Sequence, residues 1–210
     1  LGDSLIRTPD LDREFRDTIT MHNEISQAAR NDLVAIRDSD PATISLFHPF
    51  LNFKGFLGLQ AYRIAHALWA SDRCTVASHI QSRASEVFGL DIHPAAKIGS
   101  GVFIDHGTGV VIGETAVVGD HVTILHGVTL GGTGNESGDR HPKVAGGVFI
   151  GAGAQLLGNI HIGERARIGA SSVVLQDVDA GSTVAGVPAR IVRRQELPAI
   201  PLGILDSASA

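Results

Sequence analysis

Histidines with carboxylates close by in the sequence are the feature of this chain that could perform chemistry. His106 directly follows Asp105 in a glycine-rich stretch, and Asp91 comes earlier in the same part of the chain. An imidazole with an unperturbed pKa of about 6.5 accepts a proton at neutral pH and can return it later in a reaction. His106 is therefore a candidate general base, with an exposed turn histidine as the alternative.

A second group of reactive side chains lies in a polar stretch between Gly131 and Gly147. This stretch contains Arg140 and His141 together with Asn135, Glu136, Ser137, Asp139 and Lys143. A guanidinium binds a carboxylate through two parallel hydrogen bonds, and long polar insertions in a regular fold often carry function. The stretch predicts a carboxylate-binding arm, and a solvated surface loop is the alternative.

A period of six residues in the second half of the chain must position these groups. Between Gly99 and Gly186 lie 20 of the 25 glycines. Aliphatic residues recur six apart at Ile92, Ile98, Ile104 and Val110, at Ile112, Val118, Ile124 and Leu130, and at Ile150, Leu156, Ile162, Ile168 and Val174. Neither the period of an α-helix nor that of a strand hairpin explains this spacing. It predicts a solenoid whose flat faces each use about six residues. The frame slips by two between Val110 and Ile112 and again between Leu130 and Ile150, so each slip predicts an insertion.

The earlier part of the chain shows helical spacing instead. Apolar residues predict two short helices within Asp10–Asp38 and further helices within Gly55–Trp69 and Val76–Phe88. Asp40 should end the first pair, because a residue before proline avoids the α region. We therefore predict an α+β chain with a helical region at residues 1–90, a β-helical domain at residues 91–192 and a tail at residues 193–210.

Six motifs of the solenoid resemble the serine O-acetyltransferases of the hexapeptide-repeat acyltransferase superfamily. They are Asp91-Ile92-His93-Pro94-Ala95-Ala96-Lys97-Ile98-Gly99, Asp105-His106, Gly113-Glu114-Thr115, Leu130-Gly131-Gly132-Thr133-Gly134, Asp139-Arg140-His141-Pro142-Lys143 and Ala185-Gly186-Val187-Pro188-Ala189-Arg190. The resemblance implies a left-handed parallel β-helix, three-sided with about 18 residues in each coil, and an extended loop near residues 131–147. It also implies direct acetyl transfer from acetyl-CoA to the hydroxyl of L-serine, the first committed step of cysteine synthesis.

The resemblance carries roles to individual residues. Catalytic roles fall on His106, Asp91 and His141, with Asp91 and His106 as a dyad. Substrate-binding roles fall on Asp40, Asp105, Arg140 and Glu114, of which the two aspartates match the family's amine-binding carboxylates. For acetyl-CoA, the candidates are the backbone of Gly132 and Thr133, the small residues Ala152 and Ala170, and Arg167 as a phosphate contact or a solvated charge.

The coil length predicts which of these residues stack. Asp91 precedes His106 by nearly one coil, so its carboxylate should lie one coil below the imidazole and orient it. Ala152 and Ala170 are separated by one full coil and should stack. Such a strip of small residues could admit the pantetheine arm of coenzyme A, with ordinary corner packing as the alternative.

Composition limits the partners that we expect. The formal net charge of −5, with only 17 Lys and Arg, argues against nucleic acid and anionic membranes. No apolar stretch reaches the length of about 18 residues that a membrane helix needs, and the start shows no secretory signal pattern. Cys74 is the only cysteine, which excludes an intramolecular disulfide and fits the cytoplasm. The expected ligands are L-serine, acetyl-CoA and, as a feedback inhibitor, L-cysteine.

The family resemblance also implies a homotrimer, or a dimer of trimers joined through the helices. The helical region is shorter than is usual for the family, which favours the trimer. Family members bind O-acetylserine sulfhydrylase through a C-terminal isoleucine, whereas this sequence ends in Ile204-Leu205-Asp206-Ser207-Ala208-Ser209-Ala210. That ending argues against docking of the sulfhydrylase.

Two other functions remain open from the sequence. His121 and His126 have the spacing of the zinc-binding pair of β-helical carbonic anhydrases, and the slip between Val110 and Ile112 would place His126 over His106. Three histidines can form a catalytic zinc site, whereas the acetyltransferase needs no metal. A hexapeptide acetyltransferase that acts on a sugar or an amine is the other alternative.

Overall fold

Helices form the first part of the chain. The computed structural model describes residues 9–40, 43, 45–134 and 137–194. The helices of this part of the chain are α1 (Pro9–Met21), α2 (Asn23–Ser39), α3 (Phe47–Asn52), α4 (Lys54–Ala70) and α5 (Cys74–Phe88). The predicted helices are confirmed, and α2 ends directly before Asp40. The short α3 was not predicted.

The other helices pack around α4, which also lies on the first coil of the strand region. Most of its residues are buried. Contact with that coil is tight at Gly55, where a Cβ atom would lie 2.1 Å from the carbonyl oxygen of Ile104. Glycine is therefore required for α4 to lie against the coil that carries His106.

A buried ion pair fastens α2 to α4 and to the strands. Asp32 is 0% exposed and accepts hydrogen bonds from Arg63 at 2.8 Å, Gln60 at 3.1 Å and the backbone of Val102 at 2.9 Å. Arg63 also donates to the carbonyl oxygen of Gly99 at 2.8 Å. Burial raises the pKa of Asp32, against the attraction of Arg63. Both charges depend on this contact, because either alone would be buried and uncompensated.

Short strands form the rest of the fold. They are β1 (Leu90–Ile92), β2 (Lys97–Ile98), β3 (Phe103–Ile104), β4 (Val110–Ile112), β5 (Val117–Val118), β6 (Thr123–Ile124), β7 (Thr129–Gly131), β8 (Lys143–Val144), β9 (Phe149–Ile150), β10 (Gln155–Leu157), β11 (His161–Ile162), β12 (Arg167–Ile168), β13 (Val173–Val174), β14 (Ser182–Gly186) and β15 (Ala189–Arg194). Every third strand is a neighbour, which gives three sheets: β1-β4-β7-β10-β13, β2-β5-β8-β11 and β3-β6-β9-β12-β14-β15. We call them the first, second and third faces. The predicted three-sided β-helix is confirmed.

The six-residue period places an aliphatic side chain of each regular strand inside the β-helix. On the first face, Ile112 pairs with Leu130, Leu130 with Leu156, and Leu156 with Val174. None of these four residues is more than 2% exposed. Full burial of such a side chain contributes about 1.5–3 kcal/mol, so these stacks form the core.

The glycine that often follows the inward residue has a steric cause. A Cβ atom at Gly151 would lie 2.6 Å from the backbone nitrogen of Ala170, and one at Gly163 would lie 2.4 Å from that of Ala180. Successive coils thus approach too closely at these corners for any side chain. Lack of space, rather than an unusual φ angle, explains these two glycines.

The first insertion lies on the other side of Val110 from the expected place. Ile104 pairs with Ile124 and Ile112 with Leu130. The extra pair of residues therefore lies within residues 105–109, because the slip occurs before Val110 and not after it.

The second insertion adds eight positions to its coil, not the two inferred from the sequence. Ile150 pairs with Ile124 in the coil before it and with Ile168 in the coil after it. The sequence separation from Ile124 to Ile150 is eight residues longer than that from Ile150 to Ile168. The extra positions belong to an arm between β7 and β8, at residues 132–142, which is shorter than the predicted loop at 131–147.

The last coil ends in an antiparallel hairpin of β14 and β15. The hexad period did not predict this pairing. No helix in residues 9–40 or 45–134 is long and apolar enough to cross a membrane. Residues 195–210 of the predicted tail, including its last isoleucine, lie outside the described residues.

Candidate active site

A cavity between the helices and the corner after β3 brings together three of the predicted site residues. Its volume is about 690 Å³, and Asp40, Lys54, Gly55, Asp105 and His106 contribute to its lining. Asp40 follows α2, whereas Asp105 and His106 follow β3. Two carboxylates and an imidazole in one cavity could bind an ammonium group and deprotonate a nearby hydroxyl. We call this region the base cavity.

His106 projects from the first insertion towards solvent. Its side chain is 72% exposed, and its Nε2 atom lies 3.8 Å from Oδ1 of Asp105. Its φ of 58° is left-handed, but His121, Arg165 and Ser171 have the same conformation. The angle therefore reflects the sharp corners of this β-helix and is not a special strain of the site.

A column of residues rises along the corner between the third and first faces. The backbone register stacks Thr108, His126, Ala152 and Ala170 in successive coils. We expected His126 to lie directly over His106, but the backbone register is different. The insertion displaces His106, so the residue directly below His126 is Thr108. The two imidazole rings are still in edge contact, with their centroids 5.8 Å apart.

Ala152 and Ala170 stack as expected, since Ala152 accepts a hydrogen bond from Ser171 at 2.7 Å. Their small side chains form a strip along this corner, in the same column as His126 and Thr108. Arg167 lies outside this strip, on β12, where its guanidinium carbon is 4.5 Å from the ring centroid of Phe149. This cation–π contact holds an exposed positive charge beside the strip.

The arm between β7 and β8 folds back on the turn between β4 and β5. Arg140 donates to Oε2 of Glu114 at 2.8 Å. His141 is 6% exposed and lies over Gly113, where a Cβ atom would be 2.0 Å from Nε2 of His141. The hydroxyl of Thr115 contacts Nδ1 of His141 at 2.8 Å. We call these five residues the arm cluster.

Electrostatics keep the arm cluster in one charge state. The hydrogen bond from Arg140 holds the pKa of Glu114 below its usual value. Burial lowers the pKa of His141, and the neighbouring charges of Arg140 and Lys143 lower it further. At neutral pH the cluster therefore presents a guanidinium, a carboxylate and a neutral imidazole.

Asp91 lies on β1 in the same coil as His106, not one coil below it. Its register partner in the next coil is Val111, five residues beyond His106. Its Oδ1 atom accepts a hydrogen bond from Gln81 at 2.7 Å. Its charge also acts on His93, whose pKa is lowered chiefly by burial.

The residues expected to contact acetyl-CoA are divided between two corners. Gly132 and Thr133 begin the arm, and a Cβ atom at Gly132 would lie 3.5 Å from the side chain of Arg140. Ala152 and Ala170 belong to the corner of the base cavity. The two pairs therefore lie at different edges of the β-helix.

The histidines of the zinc hypothesis also lie at different corners. His121 is between β5 and β6, whereas His126 is between β6 and β7. Among the described residues, no group of three or more His, Cys, Asp or Glu side chains could hold a metal ion. A three-histidine zinc site is thus not assembled within this part of one chain.

Three parts of the two regions were missed from the sequence. Lys54 lines the base cavity and donates to the hydroxyl of Thr108. Thr115 is part of the arm cluster and contacts His141, and His93 lies close enough to interact with the charges of Arg140 and His141. Thr115 and His93 belong to quoted motifs and could have been noticed there, whereas nothing in the sequence around Lys54 points to a site.

Two family models match the chain. The model "Serine acetyltransferase, N-terminal" matches residues 1–61, and "Bacterial transferase hexapeptide (six repeats)" matches residues 141–176. Among curated relatives, a probable serine acetyltransferase 4 of Oryza sativa subsp. japonica is 60% identical over 88% of this chain and 61% of its own length. A chloroplastic serine acetyltransferase 1 of Arabidopsis thaliana is 58% identical over 89% of this chain and 60% of its own length. The chain thus spans about 60% of the length of these relatives.

Solved structures of serine acetyltransferases are similar to this chain in both sequence and fold. A Brucella abortus serine acetyltransferase in complex with coenzyme A is 52% identical, with a TM-score of 0.86 over 89% of this chain and 77% of that one. A soybean serine acetyltransferase complexed with serine is 52% identical, with a TM-score of 0.88 over 91% and 80%. A serine acetyltransferase in complex with cysteine is 53% identical, with a TM-score of 0.84 over 85% and 74%. With this identity and coverage added to the geometry of the two regions, the chain belongs to the serine acetyltransferase family.

Proposed function

We propose that this chain transfers the acetyl group of acetyl-CoA to L-serine and releases O-acetyl-L-serine and coenzyme A. His106 removes the proton of the serine hydroxyl while the oxygen attacks the thioester carbonyl carbon. The carbon–sulfur bond then breaks, and His106 returns the proton to the departing thiolate. The reaction consumes no metal or redox equivalent, so the histidine and its binding neighbours suffice.

The observation that carries this proposal is the division of substrate-binding groups between the base cavity and the arm cluster. Asp40 and Asp105 in the cavity offer negative charge for the serine ammonium group. Arg140 and His141 in the arm offer a cation and a hydrogen-bond donor for its carboxylate. The two regions are at different corners of one chain, so they could hold the two ends of one serine only where two copies of the chain meet.

Assembly of the chain would join the two regions. In a cyclic trimer, one corner of each copy meets a different corner of the next copy. We propose a homotrimer in which the base cavity of one copy faces the arm cluster of its neighbour, with Asp91 of that neighbour near His106. Exposure of Phe47, Phe50 and Leu51 on α3 supports burial by another copy. A dimer of trimers through the helices at residues 1–90 is the larger alternative.

The same meeting of corners would complete the acyl-donor groove. The strip at Ala152 and Ala170 leads to His106 and offers room for a pantetheine chain, with Arg167 beside it for a phosphate. Gly132 and Thr133 of the neighbouring copy would offer backbone N–H groups on the other wall. The coenzyme A complex of the Brucella relative supports acetyl-CoA as the donor.

L-cysteine should compete with serine, since the two differ only in the atom at the γ position. A pocket that recognises ammonium and carboxylate accepts both, and the cysteine complex of a relative supports this. We also propose that the enzyme acts in the cytoplasm, although one relative is named chloroplastic. Expression of the full-length protein with a fluorescent tag would test that location.

Thiol release from acetyl-CoA tests the function directly. Purified chain is given serine, other amino acids, sugars or amines, and the liberated coenzyme A is measured. Release that requires serine, with O-acetyl-L-serine as the product, is the expected result. Equal or greater release with a sugar or an amine would contradict the proposed substrate, as would activity that disappears on chelation and returns with zinc.

A further inference from the structure

The hydroxyl of Thr115 lies at the centre of the contacts that hold the arm. Its Oγ1 atom accepts the backbone N–H groups of Arg140 at 3.0 Å and His141 at 3.1 Å. The same oxygen lies 2.8 Å from Nδ1 of His141. The backbone N–H of Thr115 also points at Nδ1, at 3.2 Å.

These contacts determine where the protons are. A hydroxyl has one proton to donate and two lone pairs to accept with. Both lone pairs of Oγ1 are used by the backbone of the arm, so its contact with His141 must use the hydroxyl proton. Two donors then point at Nδ1, and an imidazole nitrogen that accepts cannot carry a proton. A neutral His141 must hold its proton on Nε2.

We propose that Thr115 is a positioning residue for His141, which fixes the imidazole as the Nε2–H tautomer and aims that N–H across Gly113. Any catalytic benefit rests on the proposed acetyl transfer, in which this N–H would contact bound serine. The tautomer itself follows from this chain alone. Gly113 completes the arrangement, because no side chain fits between its Cα and the ring.

The surroundings of His141 also keep the ring neutral. Burial disfavours a protonated ring most, Arg140, Lys143 and His93 add to this effect, and Glu114 opposes it. The carboxylate of Asp139 is a second acceptor within reach of the Thr115 hydroxyl. Donation to Asp139 would leave the backbone N–H of Thr115 as the donor to Nδ1, so the backbone of Thr115 favours the same tautomer.

Histidine NMR of the ligand-free protein tests this directly. The full chain is labelled with ¹⁵N and ¹³C at histidine, and His141 is assigned by its loss in His141→Gln. We expect the nitrogen and carbon shifts of a neutral ring protonated at Nε2. A ring protonated at Nδ1 would overturn the proposal, whether or not the protein transfers acetyl groups.

Two substitutions test the role of the Thr115 hydroxyl. Thr115→Ser keeps the hydroxyl and should retain the tautomer and most of the activity. Thr115→Val keeps the shape but removes the hydroxyl both as the donor to Nδ1 and as the acceptor of the Arg140 and His141 N–H groups, and we expect kcat to fall about 10- to 100-fold. The acid limb of its pH profile should move to higher pH, because the neutral ring loses a hydrogen bond. Equal activities of the two variants, with unchanged pH profiles, would contradict the positioning role.

Discussion

His106 and His141 are the same residue type in opposite environments. His141 is 6% exposed, and the hydroxyl and N–H of Thr115 contact its Nδ1 atom. The side chain of His106 is 72% exposed, with the nearby carboxylate of Asp105 3.8 Å away. The arm cluster is thus organised within one chain, whereas the base cavity presents its histidine to solvent.

The difference indicates what each region needs in order to work. A buried, hydrogen-bonded imidazole is already placed and can orient a substrate. An exposed base gains its orientation only when another surface covers it, and Asp91 of a neighbouring copy would supply a carboxylate there. The comparison therefore predicts that neither region is functional without a second copy of the chain.

The largest effect is expected when two inactive variants are mixed, because activity should return only if each site is shared between two copies of the chain. His106→Ala and His141→Ala should each lose at least about 10²-fold in kcat. The two variants are then unfolded together and refolded as mixed trimers. Each proposed site takes His106 from one copy and His141 from the next, so random assortment gives about a quarter of the sites both wild-type histidines. Thiol release should then rise to about a quarter of the wild-type rate.

Refolding each variant alone controls for recovery of the fold, and neither should regain activity. If the mixture stays as inactive as its components while its trimers are shown to be mixed, both histidines belong to one chain's site. The comparison between the two regions would then be wrong.

Asp32→Ala should disturb the base cavity indirectly, because Asp32 fastens α2 to α4 and Asp40 of the cavity follows α2. Loss of this carboxylate leaves Arg63 buried without a partner, which costs about 3–5 kcal/mol. Asp38→Ala is the matched control on the same helix, since its carboxylate is 59% exposed beside Arg37 and should cost less than about 1 kcal/mol. Urea denaturation measures both.

The kinetics of the Asp32 variant sharpen the test. Asp40 directly follows α2, so a loosened α2 should raise the KM for serine more than that for acetyl-CoA. Equal stability of the Asp32 and Asp38 variants would show that the buried pair does not anchor the helix.

Arg140→Ala should separate binding from chemistry in the arm cluster. Loss of a bidentate partner for the serine carboxylate should raise the KM for serine about 10-fold or more, with a smaller change in kcat. Arg140→Lys should restore little, because an ammonium cannot reproduce the two parallel hydrogen bonds. Initial rates with each substrate varied in turn provide the measurement. Equal rises in both KM values would indicate that Arg140 only holds the arm against Glu114.

The β-helix was predictable because its core repeats. Each regular strand buries one aliphatic residue at a fixed interval, and the close approach at Gly151 and Gly163 leaves a second signal in the sequence. The hairpin of β14 and β15 has no such repeat and was missed. The position of the first insertion was misjudged because Val110 and Ile112 both point inward, so the period alone could not show on which side of Val110 the slip lies.

The site was predictable only where residue type and motif coincide. Arg140, His141 and Glu114, which all received site roles from their motifs, are close in space. Asp91 was misplaced relative to His106, since its position depends on the extra length of the first coil. Lys54 was missed because it reaches the cavity from α4, and no local pattern encodes a contact between regions so far apart in sequence.

The smallest effect that we predict concerns pH and the buried imidazole of the arm. Burial, Arg140 and Lys143 lower the pKa of His141 in the folded protein, whereas the unfolded chain has a value of about 6.5. As the pH falls below that value, the unfolded chain binds a proton that the folded chain does not, so the free energy of unfolding decreases. His141→Gln should therefore show a shallower fall in Tm than the wild type between about pH 7.5 and about pH 5.5.

His93→Gln should act in the same direction, because burial also lowers the pKa of His93. The difference in Tm between each variant and the wild type at about pH 8 supplies the baseline, since both histidines are then neutral in either state. Identical slopes for all three proteins would show that the ring of His141 is accessible to protons in the folded arm, and the contrast with His106 would lose its physical basis.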